Sequence, residues 1–389
     1  MYFAAMKDRP VAQDGFQLQR SNGTNQPNEG RRSCANGVLM TAKRPSRIVA
    51  RSIRCVLLTA LVLLGTANIV LAESTSIFDT ASYNSEKISE IFMLVLAITG
   101  LIFVLVIAAI AVFVVRFRAR RSETEDEPEP PQIYGSWPIE IAWTIAPLLI
   151  IFVLFLVVVR SVNEQRPTQA PGDAVQVRVI GNQWWWSFEY PELGFTTANE
   201  LHVPLDESAD PSSVFMQLES ADVAHSFWVP RLAGKTDLIP NRINTMWFTP
   251  NATGIYYGQC AEYCGTQHSK MLLRVIVETP SEFAAWVENE KKPAVNDPAV
   301  ADGRALFLEH SCASCHTIRG TNARGTFGPD LTHLMSRQTI GAGAAENNHD
   351  NLITWITNPH VFKTGCYMPE MKLTAENVKT IVSYLESLR

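Results

Sequence analysis

"GIYYGQCAEYCGTQHSKMLLRVIVE", residues 254 to 278, reads as two short strands enclosing a turn-rich stretch. Inside the stretch Cys260 and Cys264 stand four apart, His268 follows four later, and Met271 three beyond that. Thiolate, imidazole and thioether are the ligands that soft or borderline metals choose. One more strong ligand is available upstream, His225 in "ADVAHSFWVP", in an apolar strand-loop setting. Two cysteines, two histidines and a methionine allow a tetrahedral zinc site with a spare Met, or a copper site, and the thioether favours copper. Two thiolates exceed what a mononuclear blue-copper centre uses, so two coppers bridged by sulfur are also allowed. A Cys260–Cys264 disulfide is the alternative without metal.

Working outward, "VQVRVIGNQWWWSFEY", "ELHVPL", "SVFMQLES" and "NTMWFTP" are further strand-like runs, separated by Gly, Pro, Asn and Asp signals. Short strands at this spacing predict a β-sandwich or barrel over 172–280. In a regular strand, alternation would bury Trp184 and Trp186 on one face and expose Trp185, and core packing accounts for at least one of them.

Upstream the chain is apolar. Hydrophobic residues make up 47% and charged residues 18% of the sequence, and a formal charge of -5 over 389 residues argues against nucleic-acid binding. Two runs have the length of membrane spans: Ile91 to Val115, set within 87–117, and Ile141 to Val159, set within 138–160, with Pro147 inside the second. Arg116, Arg118, Arg120 and Arg121 mark 118–137 as a cytoplasmic loop, which leaves 73–86 and everything after Arg160 outside. Residues 1–72 read as a leader: Lys43, Arg44, Arg47, Arg51 and Arg54 precede an apolar run ending at Ala72, where cleavage is expected. The polar residues 1–39 fit either a non-native start, with Met40 the true one, or a disordered extension.

Downstream, 281–297 reads as a linker, and 298–389 returns to helical periodicity, ending in "AENVKTIVSYLESL". "CASCH" (312–316) is the attachment signature of c-type haem: Cys312 and Cys315 as thioether anchors, His316 as the proximal imidazole. In "TGCYMPEM", Met368 is favoured over Met371 as second axial ligand, and "GTFGPDL" supplies a loop that passes close to the porphyrin. His310, His333, His349 and His360 read as structural or solvent-facing, and Cys366 has no assigned task.

These residues together resemble subunit II of the haem-copper cytochrome c oxidases from about residue 80 to 280. The resemblance is carried by "IEIAWTIAP", "NQWWWSFEY", "DVAHSFWVP", "GKTDLIPNR" and "YYGQCAEYCGTQHSKM". Residues 298–389 are similar to a class I cytochrome c, and a haem domain in this place is characteristic of the caa-type oxidases. The resemblance implies a multidomain membrane protein: a two-helix transmembrane hairpin, a cupredoxin-like β-sandwich and an all-α class I cytochrome c domain.

For the residues it implies that His225, Cys260, Cys264, His268 and Met271 hold dinuclear copper A, with Glu262 giving its backbone carbonyl. It implies that the Glu262 side chain serves a magnesium or manganese site shared with subunit I. Trp184 becomes a surface tryptophan where electrons enter, and Glu140 the mouth of a proton pathway. One covalent haem c completes the cofactors. The implied partners are subunits I and III and an electron donor, either cytochrome c or a membrane cytochrome complex.

The implied place is the bacterial inner membrane, with both metal domains on the periplasmic side. The implied function is electron entry into a proton-pumping terminal oxidase whose oxygen chemistry lies in subunit I. The alternatives are a tethered electron carrier for another reductase and a copper carrier or assembly factor.

Overall fold

The computed structural model describes residues 76–118, 132, 134–165, 170, 174–205 and 214–389. The chain divides into two units, Met1–Val70, which lies outside the described residues, and Leu71–Arg389, which holds everything below. The leader and the alternative start at Met40 also fall outside the described residues, as does most of the loop expected over 118–137.

Ser82 caps the first long helix, α1 (Tyr83–Arg116), exchanging hydrogen bonds with Ser85 in a capping box. The helix begins before the apolar run because its first turn has partners. Asn84 Oδ1 accepts from Thr249 N at 3.2 Å, the Tyr83 amide donates to the Thr249 carbonyl at 3.1 Å, and Asn84 and Ser85 are buried. Helix α2 (Trp137–Glu164) starts with Pro138 in its first turn and accommodates Pro147 in its interior. Both helices are long and apolar enough to cross a membrane, and their apolar side chains face outward. The C-terminal end of α2 meets the β-domain, where the Trp247 indole donates to the Gln165 carbonyl at 3.1 Å.

The β-domain has ten strands: β1 (Val175–Asn182), β2 (Trp185–Tyr190), β3 (Phe195–Ala198), β4 (Glu200–Pro204), β5 (Val214–Ser220), β6 (His225–Trp228), β7 (Thr236–Leu238), β8 (Asn244–Phe248), β9 (Gly254–Cys260) and β10 (Leu272–Glu278). They form two five-stranded sheets, ordered β3-β2-β1-β5-β8 and β4-β10-β9-β6-β7. Pairing is mixed, since β1 runs parallel to β5 and β10 parallel to β4. Phe227 of the second sheet lies edge-on to Trp186 and Phe188 of the first, at centroid distances of 5.8 and 6.5 Å. This is a cupredoxin-like sandwich, and those rings lie at its centre.

The Trp run is not one regular strand. The chain turns at Gln183–Trp184 between β1 and β2, so Trp184 sits in the turn, Trp185 is half-buried and Trp186 is fully buried. The linker expected over 281–297 also differs. Thr279 and Glu282 form a capping box that opens α3 (Pro280–Glu290), and Trp286 stacks on His202 at 4.2 Å, fastening the helix to the sandwich.

The C-terminal domain carries α4 (Ala301–Glu309), α5 (His349–Thr357) and α6 (Ala375–Leu385), with a two-residue ribbon of β11 (Thr339–Ile340) and β12 (Ala345–Glu346). Helices α4 and α6 cross at Gly303, where a Cβ would come within 2.3 Å of the Thr380 carbonyl oxygen. No larger residue fits that crossing. The buried stripe Val378, Ile381, Val382 and Leu385 faces Phe307, Leu352 and Ile356.

Replacing Phe227, which is 1% exposed, by Ala removes the ring between the sheets. The expected cost is about 3–5 kcal/mol, read as a lower unfolding midpoint of the β-domain in the full chain.

Candidate functional site

The strand β9 delivers Cys260, β6 delivers His225 at its first residue, and the loop 261–271 returns Cys264, His268 and Met271 to the same place. Cys260 Sγ lies 3.8 Å from His225 Nδ1, 3.1 Å from the Glu262 carbonyl oxygen and 3.8 Å from Cys264 Sγ. Cys264 Sγ in turn lies 3.6 Å from His268 Nδ1 and 3.8 Å from Met271 Sδ. His225 and the Glu262 carbonyl thus lie beside Cys260, and His268 and Met271 beside Cys264.

The disulfide alternative is excluded by distance, since a bond needs sulfurs about 2.05 Å apart and both cysteines are free. Cys260, Cys264 and Met271 are buried at 4%, 2% and 0% exposure. The close thiols titrate as a pair. The Cys264 thiol donates to Cys260 and lowers its pKa, and the resulting negative charge raises that of Cys264.

Asp222 orients the first histidine. His225 Nε2 lies 2.8 Å from Asp222 Oδ1, leaving Nδ1 to face Cys260. That is the carboxylate–imidazole arrangement that fixes a ligand's tautomer. Burial lowers the His225 pKa, but the hydrogen bonds to Asp222 and Cys260 outweigh it and the net shift is upward. Asp222 also accepts from the Gln183 amide at 2.6 Å. Two side chains of the β1–β2 turn, the Gln183 amide and the Trp184 indole, donate to the Cys264 carbonyl at 2.7 and 2.9 Å.

Trp184 is 6% exposed, so the surface position expected for it is not what the structure has. Tyr367 of the C-terminal domain covers it, ring on ring, with centroids 5.1 Å apart and planes 27° apart. Glu262 is exposed beside the thiolates. Glu140 stands in the first turn of α2, roughly 36 Å along the helix from Glu164, so the structure does not bring it to the cysteines.

A cavity of about 390 Å³ is lined by Cys312, Cys315, His316, Met368 and Met371 of the C-terminal domain, and Gln183, Trp184, Trp185 and Asn199 of the β-domain close one side of it. His316 Nδ1 faces the Pro329 carbonyl at 2.8 Å, which leaves Nε2 free for a metal ion. The walls are Phe307, Leu331, Leu352, Ile356 and Ile381, and Arg337 reaches the same cavity with its Nε buried and unpartnered. An apolar slot with two thiols, an imidazole, thioethers and a buried guanidinium whose Nη2 donates to the Asp330 carbonyl at 2.6 Å while its Nε is left without an acceptor fits a haem with its carboxylates.

His310, His333, His349 and His360 do not line this cavity; His333, for one, bonds the carbonyls of Arg389 and Lys292 at 2.7 and 3.0 Å. Cys366 lines it, and burial raises its thiol pKa.

Sequence reasoning missed Asp222, Gln183, Tyr367 and Arg337. Only Asp222 carried a local signal, three residues before His225 in a turn.

Comparisons with known proteins give three family matches. Residues 72–161 match the transmembrane domain of cytochrome c oxidase subunit II, residues 196–279 its periplasmic domain, and residues 300–389 cytochrome c. The chain is 35% identical to cytochrome c oxidase subunit 2 of Alkalihalophilus pseudofirmus over 268 residues, 67% of this chain and 76% of that one. It is 35% identical to the same subunit of Bacillus sp. (strain PS3) over 280 residues, covering 67% and 77%. Among solved structures, the periplasmic domain of subunit II of cytochrome oxidase from Bradyrhizobium japonicum is 34% identical. That match covers 32% of this chain and 97% of that one, with a TM-score of 0.29.

Asp222→Asn keeps the shape but weakens the hold on His225, and should lower copper affinity about 10–100-fold in a competitive chelator titration. The Cys260–Cys264 pair and the fold should be unaffected.

Proposed function

This chain belongs to the cytochrome c oxidase subunit II family, with a cytochrome c domain fused at its C-terminal end, and from that membership we propose that it is the electron-entry subunit of a proton-pumping terminal oxidase. It is a component of an oxidoreductase complex, anchored in a membrane through α1 and α2 and partnered with subunit I.

The observation that carries the reading is the convergence of His225, Cys260, Cys264, His268 and Met271 around two unlinked sulfurs 3.8 Å apart. Two coppers there and one covalent haem in the cavity lined by Cys312 and Cys315 would supply one-electron chemistry when bound. The rest is done by the chain. Cys260 and Cys264 would both hold the copper, Asp222 holds the His225 tautomer, and Pro329 holds that of His316. A buried sandwich keeps the ligand positions the same in both redox states, so little rearrangement opposes each transfer. His316 and Met368 would hold the haem iron, and His/Met ligation would give it a raised potential.

In this reading the haem domain receives electrons from cytochrome c or a membrane cytochrome complex, and the copper domain passes them to subunit I, where oxygen is reduced to water and protons are pumped. The exposed Glu262 side chain is free to share a magnesium or manganese ion with subunit I. Glu140, an ionisable residue at a membrane boundary, serves the mouth of the proton pathway. Subunit III is a further partner, and both metal domains face the periplasm from a bacterial inner membrane. The joining of helix ends Ser82 and Gln165 to the sandwich supports one common side for them.

Electron paramagnetic resonance of the oxidised, copper-loaded full chain, with metal and haem counted, tests this. The expected result is one unpaired electron shared over two coppers, beside one low-spin haem per chain. A single-copper signal, or zinc without copper, would overturn it.

A further inference from the structure

The haem-binding domain meets the copper domain through buried polar groups placed on the segments that carry the ligands. Glu200, at the start of β4 and 1% exposed, accepts from the amides of Gln338 and Thr339 at 2.9 and 3.0 Å and from the Thr339 hydroxyl at 3.3 Å. Lys363, 3% exposed, donates to the carbonyls of Trp184 at 2.6 Å and Gly341 at 2.7 Å.

The copper-ligand loop itself is held on both flanks. The Gln267 side chain donates to the Thr364 carbonyl, the Lys270 ammonium to that of Phe362, and the Leu272 amide to that of Ala342 at 3.1 Å. Tyr367 adds its stack on Trp184 and a hydrogen bond to Gln183 Oε1 at 2.7 Å. Gly343 lets the two surfaces close: it sits at φ +78°, and a Cβ there would lie 2.9 Å from Leu272 Cβ.

A buried carboxylate and a buried amine are each costly without partners; Glu200 finds its partners across the boundary, and Lys363 finds one there, the Trp184 carbonyl, beside Gly341 of its own domain. Sliding the domains past one another would strand both. Burial pulls the Lys363 ammonium down to about 7, as befits an amine sealed between two surfaces.

We propose that the haem-binding domain occupies one fixed seat on the copper domain, anchored by Glu200 and Lys363, and that this seat closes Trp184 to any separate electron carrier. The proposal rests on the copper-and-haem reading above and deepens it. The domain fused to the chain takes the place at Trp184, and a separate donor meets the haem domain instead, away from the Tyr367–Trp184 stack.

Hydrogen exchange on the full chain in the assembled oxidase tests the seat, comparing the wild type with Glu200→Ala/Lys363→Met. Exchange over 338–343 and 360–367 is expected to rise about tenfold in the double variant, with β1 and β5 unchanged and metal and haem content retained. Rapid mixing with a small, soluble, reduced cytochrome c tests the closure. In the wild type the copper centre should be reduced only after the haem, and in the double variant a direct phase should appear.

Equal exchange in both proteins would overturn the fixed seat. Direct copper reduction without lag in the wild type would overturn the closure. If the double variant does not assemble, Gly343→Ala, which touches neither anchor, should give the same changes in smaller degree, and wild-type behaviour there would count against the seat. Missing copper or haem in the wild type would sink the functional reading, while the exchange result would still decide the seat.

Discussion

One carbonyl oxygen, that of Cys264, accepts from both the Gln183 amide and the Trp184 indole. A carbonyl has two lone pairs, and here both are used by side chains from a different sheet. The peptide that carries the central thiol is thereby fixed in orientation, and the Cys264 sulfur is aimed at Cys260, His268 and Met271. Gln183 is itself held by its main chain, which donates to Asp222, the residue that orients His225. Strand ends from both sheets are thus tied into one rigid frame. A site meant to change charge by one electron without moving needs such a frame more than it needs strong individual bonds.

The frame must also be held at a set height over a bilayer. Helix α1, at roughly 51 Å, exceeds the hydrocarbon thickness, and its surplus first turn is buried against the sandwich through Asn84 and Ser85. The end of α2 is tied down by Trp247. Because an antiparallel hairpin returns to the side it left, both attachments fall on one face, and the sandwich is held at two points rather than hung from one strand.

The sequence discloses what lies close along the chain. The ligand loop from Cys260 to Met271 and the "CASCH" run are compact, and the chemistry of their side chains names them without any fold. Strand periodicity disclosed the sandwich, but the break at Gln183–Trp184 is marked only by Gly181 and Asn182 just before it, and alternation was carried across the turn. Helix α3 was legible: Thr279, Pro280 and Glu282 spell a capping box with a first-turn proline, yet the charged run that follows reads as linker. Glu200 and Lys363 were not legible. Their partners lie 138 and 179 residues away, and a lone charge in a strand or loop looks like any solvated one.

Those two charges also decide what the fusion achieves. With α3 packed on the sandwich and Lys292 and Ala294 bonded to the C-terminal domain, the connection after Glu290 is short enough to hold the domains at an effective concentration of at least millimolar order. At that concentration, surfaces with an intrinsic dissociation constant of about 1 mM, roughly 4 kcal/mol, would be together only half the time. Each further 1.4 kcal/mol multiplies the docked population about tenfold. A buried hydrogen-bonded charge contributes on about that scale, because its loss strands its partners. The tether alone would give frequent encounters in many orientations; Glu200 and Lys363 select one of them, with Tyr367 against Trp184. The fused chain therefore differs from a diffusing carrier in geometry as well as in concentration.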